Sequence, residues 1–224
     1  MINKKVESEI AIGLIVIIAL IMGSLIWMKN TNRYASSADV RDKAEVGATD
    51  SVVFIGDSIT AIENWNALLG TSYVANAGIS GNTTDDVIAR LDRAIVYKPK
   101  KIFLMIGVND FLRGRDVAHV LANYEIILNS IRKQSPDTVI YIESVLPINN
   151  DLSKIGTIDS QKIITLNRQL KKFIDGKKIL FIDLYPSFCG DDSKLYRKYT
   201  VDGVHLSAAG YGVWKNAIYQ YVKF

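Results

Sequence analysis

Two short stretches of this sequence carry residues that could act together on a carbonyl. Ser58 lies in Gly56-Asp57-Ser58-Ile59-Thr60, directly after the apolar run Val-Val-Phe-Ile, and His205 closes Asp202-Gly203-Val204-His205 near the C-terminus. A serine hydroxyl is a weak nucleophile until a base takes its proton, and an imidazole, which titrates near ~6.5 when unperturbed, suits that task at neutral pH. An aspartate such as Asp202, three residues before the histidine, can hold the ring in one tautomer and stabilise the imidazolium. Attack on an ester also needs donors placed where the oxyanion forms. The backbone N–H groups of Ser58 and Gly81 and the side-chain amide of Asn109 are candidates. Glycine lets backbone approach a substrate closely, and an amide donates without carrying charge. The chemistry within reach of these groups is ester hydrolysis through an acyl-enzyme, with no metal and no cofactor.

Such groups act only if the fold brings them to one place. β-Branched runs at 51–55, 73–76, 101–106, 138–143 and 179–183 read as five strands. Amphipathic stretches at 61–69, 84–96, 160–174 and 207–222 read as helices, the third of these ended by Asp175-Gly176. A further helix follows Asp116, a plausible N-cap, with Val117, Val120, Leu121, Tyr124, Ile127, Leu128 and Ile131 on one stripe. Near-continuous apolar strands alternating with helices imply an α/β fold whose parallel sheet is covered on both faces. Ligands of such sheets bind outside the carboxyl ends of the strands. The first strand leads into Ser58, the second into the segment from Asn76 to Gly81 and Asn82, and the third into Gly107-Val108-Asn109-Asp110. Three loops thus converge on one edge, and Asp202 to His205 arrive there as a fourth, just before the last helix.

Composition narrows the setting. A length of 224 residues suits one domain of ordinary size, and 49% hydrophobic with 22% charged residues excludes a disordered chain. Cys189 is the single cysteine, which removes an intramolecular disulfide framework and any Cys-rich zinc cluster. Residues 10–28 form 19 uncharged, mostly apolar positions between Glu9 and Lys29. At 1.5 Å per residue they span about 28 Å, the hydrocarbon thickness of a bilayer. A cleaved signal would show a shorter apolar core and a small-residue site, whereas Trp27, Met28, Lys29 and Asn30 follow here. The reading is one N-terminal transmembrane helix at 1–29, a polar tether at 30–50 whose ends as a coil lie roughly 25 Å apart, and a catalytic domain at 51–224.

Lys4 and Lys5 precede the span while Lys29, Arg33, Arg41 and Lys43 follow it, so a literal positive-inside count leaves the C-terminal part in the cytoplasm. A short tail before a first apolar helix nevertheless resembles bacterial signal anchors, which favours an extracytoplasmic domain. The net charge of +4 falls to +2 without residues 1–33. No basic stripe accompanies it, so nucleic acid is not an expected partner.

Gly56-Asp57-Ser58-Ile59, Gly81, Gly107-Val108-Asn109-Asp110 and Asp202-Gly203-Val204-His205 resemble, in order and spacing, the four sequence blocks of the SGNH (GDSL-type) hydrolases. The resemblance extends over 52–224. It implies a flavodoxin-like three-layer α/β/α sandwich with a five-stranded parallel sheet. It also implies a serine esterase in which Ser58, Asp202 and His205 are catalytic and Ser58, Gly81 and Asn109 form the oxyanion hole. Asn82 departs from the pattern, since many relatives carry Asp beside the oxyanion glycine, and this bears on the geometry of that loop. Ser144-Val145-Leu146-Pro147 and the segments 76–84 and 202–214 are most similar to acyl-esterases of the platelet-activating-factor acetylhydrolase and bacterial lysophospholipase/thioesterase type.

With no long insertion between the blocks to build a lid, the expected substrate is a short acyl ester, such as a glycan O-acetyl group. A lysophospholipid is the alternative, because the anchor keeps the domain near lipid. A catalytically silent ligand-binding module on the same fold would lose a block, and none is lost. A phosphate or flavin cradle is disfavoured, because GDSIT lacks the Walker pattern and no GxGxxG follows the first strand.

Other polar residues have structural readings. His119 falls off the apolar stripe and is expected on the solvated surface. Cys189 reads as a small buried hydrophobe or free thiol, and Asp191 and Asp192, being consecutive, point apart. Asp57 and Asp110 are expected to hold their loops through backbone hydrogen bonds, and Tyr185, Tyr196 and Tyr199 to serve packing.

Overall fold

The computed structural model describes residues 52–224. The expected membrane span and tether, and residue 51, lie outside the described residues. Among the described residues no helix is long and apolar enough to cross a membrane.

Five parallel strands form one sheet: β1 (Val52–Gly56), β2 (Val74–Gly78), β3 (Lys101–Met105), β4 (Val139–Glu143) and β5 (Ile179–Ile182), in the order β2-β1-β3-β4-β5. This is the flavodoxin-like order expected. The chain winds one way from β1 to β2 and the other way from β3 onward. The exits of β1 and β3 therefore diverge, and the crevice between them is where such sheets take their ligands.

The helices are α1 (Ser58–Ala61), α2 (Trp65–Leu69), α3 (Thr84–Ile95), α4 (Val108–Leu112), α5 (Val117–Gln134), α6 (Ser160–Leu170) and α7 (Ala208–Val222). One sheet face is aromatic. Phe54 pairs in register with Phe103, and Phe103 with Tyr141, with ring centroids 4.7 and 4.8 Å apart. Trp65 of α2 stacks on Phe54 at 4.2 Å, and Trp214 of α7 meets Trp65 edge-on at 4.8 Å. The alternate residues Ile55, Leu104 and Ile142 are buried on the opposite face of the sheet. On α5, Val120, Tyr124, Ile127, Leu128 and Ile131 are buried, and Asp116 caps the helix by accepting from the His119 amide. Those positions are the stripe read from the sequence.

The departures have local causes. The helix expected over 61–69 is two helices, α1 and α2. Thr60 O accepts from Trp65 Nε1 and Asn76 Nδ2 at 3.0 Å each, and Asn76 Nδ2 also reaches Ala61 O and Glu63 O. These donors satisfy carbonyls at the end of α1, and Asn64 starts α2 by accepting from the Ala67 amide. The block at Gly107, read as a loop, opens the short helix α4. The helix expected over 160–174 ends as α at Leu170 and tightens into a 3₁₀ turn at Lys171–Phe173.

Candidate active site

Ser58 is the first residue of α1 and follows β1 after the single residue Asp57. Asp57 caps α1 through a 2.9 Å bond from the Ile59 amide. A side chain at Gly56 would meet Thr60 Oγ1 at 2.1 Å and Met105 O at 2.6 Å, so the strand exit can pack this closely only as glycine. The Ser58 amide is among the first N–H groups of its helix, which find no partner within the helix itself. From the far end of the chain, Tyr211 Oη of α7 donates to Ile59 O at 2.7 Å. The helix after His205 is thereby tied to the helix that carries Ser58.

The His205 loop is bonded within itself. Thr200 Oγ1 accepts from the Gly203 amide at 2.8 Å and donates to His205 O at 2.8 Å, while Val201 N donates to the same carbonyl at 3.0 Å. Gly203 has φ +93°, and a Cβ there would meet Asn149 O at 2.5 Å, so the turn requires glycine. Asp202 Oδ1 accepts from the amides of Val204 and His205 at 3.0 and 2.8 Å. Its other oxygen lies 2.7 Å from His205 Nδ1, and His205 Nε2 lies 2.9 Å from Ser58 Oγ.

Burial opposes the charge on Asp202, but the bonds from the His205 ring and from the His205 and Val204 amides hold its carboxyl below the usual range. Asp202 is therefore a carboxylate at neutral pH. A carboxylate bonded to Nδ1–H fixes the tautomer that leaves Nε2 free to accept the serine proton. The structure brings Ser58, Asp202 and His205 into one hydrogen-bonded chain.

Gly81 and Asn109 arrive from β2 and β3. The Ile79 amide bonds Gly56 O at 3.1 Å, and the Asn82 amide bonds Ile79 O at 3.2 Å, closing a turn with Gly81 at φ +76°. Asn109, on the first turn of α4, donates through Nδ2 to Asn82 O at 2.9 Å. One N–H of that amide is thereby committed, and the second remains for a substrate. Asp110, fully buried, accepts from Thr84 N at 3.0 Å and Thr84 Oγ1 at 2.5 Å, which pins α4 to the start of α3. Asp57 and Asp110 both accept backbone amides, as expected of them. Burial pushes the Asp57 carboxyl up to about 7, against the pull of the Ile59 amide and the nearby His205.

Sequence reasoning missed the residues that hold this edge together. Arg90 donates through Nε to Asn82 Oδ1 at 2.6 Å and through Nη2 to Gly56 O at 3.1 Å, linking the exit of β1 to the Gly81 loop. Asn82, the departure from the family pattern, thus serves as a neutral acceptor for a guanidinium. Arg113 reaches Gly81 O at 2.7 Å. Tyr124 Oη both donates to Ile106 O and accepts from Ile106 N, fixing the exit of β3. Only Arg113, four residues after Asn109, left a trace in the spacing. The others act across the fold.

His119 lies at the surface, its side chain 33% exposed, and is paired there, with Nε2 3.0 Å from Asp85 Oδ2. Among the described residues, Asp85, Asp110 and His119 form the one group whose atoms lie close enough to share a metal. Thr84 occupies both Asp110 oxygens, and Asn123 Nδ2 donates to Asp85 Oδ1 at 2.8 Å, so hydrogen bonds already satisfy the group. Cys189 is buried, which pushes its thiol up, and it donates to Tyr185 O. Tyr199 packs edge-on against Phe188 and Tyr196.

Known proteins resemble this chain in sequence or in structure. Platelet-activating factor acetylhydrolase IB subunit alpha1 of Bos taurus is 26% identical over 192 residues, covering 83% of this chain and 77% of its own. The alpha2 subunit of Gallus gallus is 27% identical over 198 residues, covering 85% and 81%. A catalytic mutant of an acetylxylan esterase from Geobacillus stearothermophilus superimposes with a TM-score of 0.59 at 25% identity, over 78% of this chain and 94% of that one. The sequence model of the GDSL-like lipase/acylhydrolase family matches residues 54–213, from within β1 through His205 and into α7, and the chain belongs to that family of ester hydrolases.

Proposed function

We propose that this chain is a serine esterase that removes short acyl groups, acetyl foremost, from a glycan or small ester through an acyl-enzyme. The observation that carries the reading is the chain Ser58 Oγ, His205 Nε2, His205 Nδ1, Asp202 Oδ2, with contacts of 2.9 and 2.7 Å. His205 takes the Ser58 proton as Oγ attacks the ester carbonyl, and a tetrahedral intermediate forms. The Ser58 and Gly81 amides and Asn109 Nδ2 stabilise its oxyanion. His205 then protonates the leaving alcohol, and a water activated by the same imidazole releases the acid. Acetyl is favoured by the similar proteins whose names specify acetylhydrolase and acetylxylan esterase activity.

A lysophospholipid is the second reading, and one observation favours it. Ile79, two residues before Gly81, and Val201, beside Asp202, are 47% and 70% exposed at the reacting edge, where an acyl chain could lie. The apolar segment 10–28 supports a membrane anchor, and the short tail ahead of it favours, against the literal charge count, a catalytic domain outside the cytoplasm. The test is hydrolysis by the full chain in detergent of p-nitrophenyl acetate against octanoate, and of acetylated xylan against lysophosphatidylcholine, with an organophosphate to label Ser58. Folded protein inert to all four and to the label overturns the esterase reading. Activity on the octanoate and the lipid alone moves the conclusion to the second.

A further inference from the structure

Asn109 of α4 and Arg113, which caps the C-terminus of that helix, grip the Gly81 loop by two side chains one helical turn apart. Asn109 Nδ2 donates to the carbonyl of Asn82 and Arg113 Nη2 to that of Gly81, at 2.9 and 2.7 Å. The Arg113 amide bonds Asn109 O at 3.0 Å, continuing the turn of α4, so the two side chains leave one side of the helix and its cap and take successive carbonyls of the loop. The Asn82 N–H donates to Ile79 O. The peptide unit joining Gly81 to Asn82 is thus bonded at both ends, its oxygen to Arg113 and its nitrogen to Ile79.

That unit controls a neighbour. The turn from Ile79 to Asn82 has its third residue, Gly81, at φ +76°, the type II arrangement. Its central peptide, from Ser80 to Gly81, carries the Gly81 N–H, and reversing that peptide converts a type II turn into a type I turn. The φ and ψ of Gly81 together set the orientation of the central peptide relative to the next one. A bond that holds the next peptide therefore restrains the direction of the Gly81 N–H. The guanidinium is itself held, with Nη1 3.6 Å from Asp86 Oδ2, and Asp86 closes the capping box at the start of α3. The Arg113 side chain is 58% exposed, so the contact can be reached from solvent.

We propose that Arg113 is a positioning residue of the oxyanion hole, holding the Gly81 carbonyl so that the Gly81 N–H keeps its aim at the ester oxygen. This rests on the assignment of Gly81 and Asn109 as oxyanion donors. The test compares Arg113→Met, Arg113→Lys and Asn109→Ala in the full chain on p-nitrophenyl acetate. The Met variant loses about tenfold in kcat with KM nearly unchanged, because an interaction felt only in the transition state is weakened. Labelling of Ser58 by an organophosphate slows by the same factor, since that reaction also builds charge in the hole. Lys, which can offer one bond to the carbonyl, falls between Met and wild type. Guanidinium at sub-denaturing concentration raises the rate of the Met variant and leaves that of wild type unchanged.

Wild-type kcat in the Met variant overturns the proposal. So does a loss confined to KM, or a loss that guanidinium does not restore and that tracks a lowered melting temperature. If the Met variant does not fold, the Lys variant carries the test: an unchanged kcat there, with unchanged Ser58 labelling, refutes it. Full activity of Asn109→Ala would instead remove the oxyanion assignment, whereas an impaired Asn109→Ala beside an unimpaired Arg113→Met would remove the role of Arg113 alone.

Discussion

Replacing Glu143 by glutamine should make the protein more stable in alkali and leave it nearly unchanged in mild acid. Glu143 ends β4, is 1% exposed, and accepts a 2.6 Å bond from Trp214 Nε1. Burial pushes its carboxyl from the ordinary 4.5 up to about 8, against the lowering effect of the Trp214 bond. Above pH 4.5 the unfolded chain has released a proton that the folded protein still holds. Stability from this group is therefore whole below pH 4.5, drains as pH rises to about 8, and is lost beyond it. At about 1.4 kcal/mol per pH unit the accumulated loss is at most about 5 kcal/mol. Glutamine keeps the Oε1 acceptor for Trp214 and has no proton to lose. Urea unfolding at pH 5, 7 and 9, followed by tryptophan fluorescence, reads the difference. Wild type and Glu143→Gln should agree within ~1 kcal/mol at pH 5, with the variant ahead by several kcal/mol at pH 9. Asp57, raised to about 7, drains over its own window in both proteins and cancels in the comparison. A gap that does not widen with pH would refute the account of Glu143 as a buried neutral acid.

Ser58→Ala should lower kcat by at least ~10³-fold with the thermal transition unchanged, and a variant retaining a tenth of wild-type kcat would exclude Ser58 as nucleophile. Asn109→Ala should cost about 10²–10³ in kcat, the usual effect of one oxyanion donor, measured on p-nitrophenyl acetate at saturating substrate. Asp202→Asn should cost about 10⁴ in kcat, because the amide can donate to Nδ1 and stabilise the wrong tautomer; a loss below tenfold would show that the carboxylate only caps its loop.

The five strands and the stripe on α5 were legible because each is a local pattern of apolar residues repeated at the period of its element. The site was legible because its groups sit in short blocks at strand exits, where an α/β sheet places chemistry whatever its sequence. What escaped were boundaries and supports set by distant atoms. Nothing in the residues 61–69 shows that Trp65 and Asn76 will take the carbonyls that end α1. Likewise Arg90, Thr84 and Tyr124 read as ordinary helix residues, and their roles exist only once α3 and α5 lie against the exits of β1 and β3. The pairing of His119 escaped because its partner, Asp85, comes from another helix.

The parallel sheet also gives the domain a direction. Every strand starts at one edge and delivers its chemistry at the other, so β1 alone sets Val52 about 13 Å along the strand axis from Gly56, and Ser58 lies beyond that exit. Whatever precedes Val52 joins the domain at the edge away from the Ser58–His205 pair.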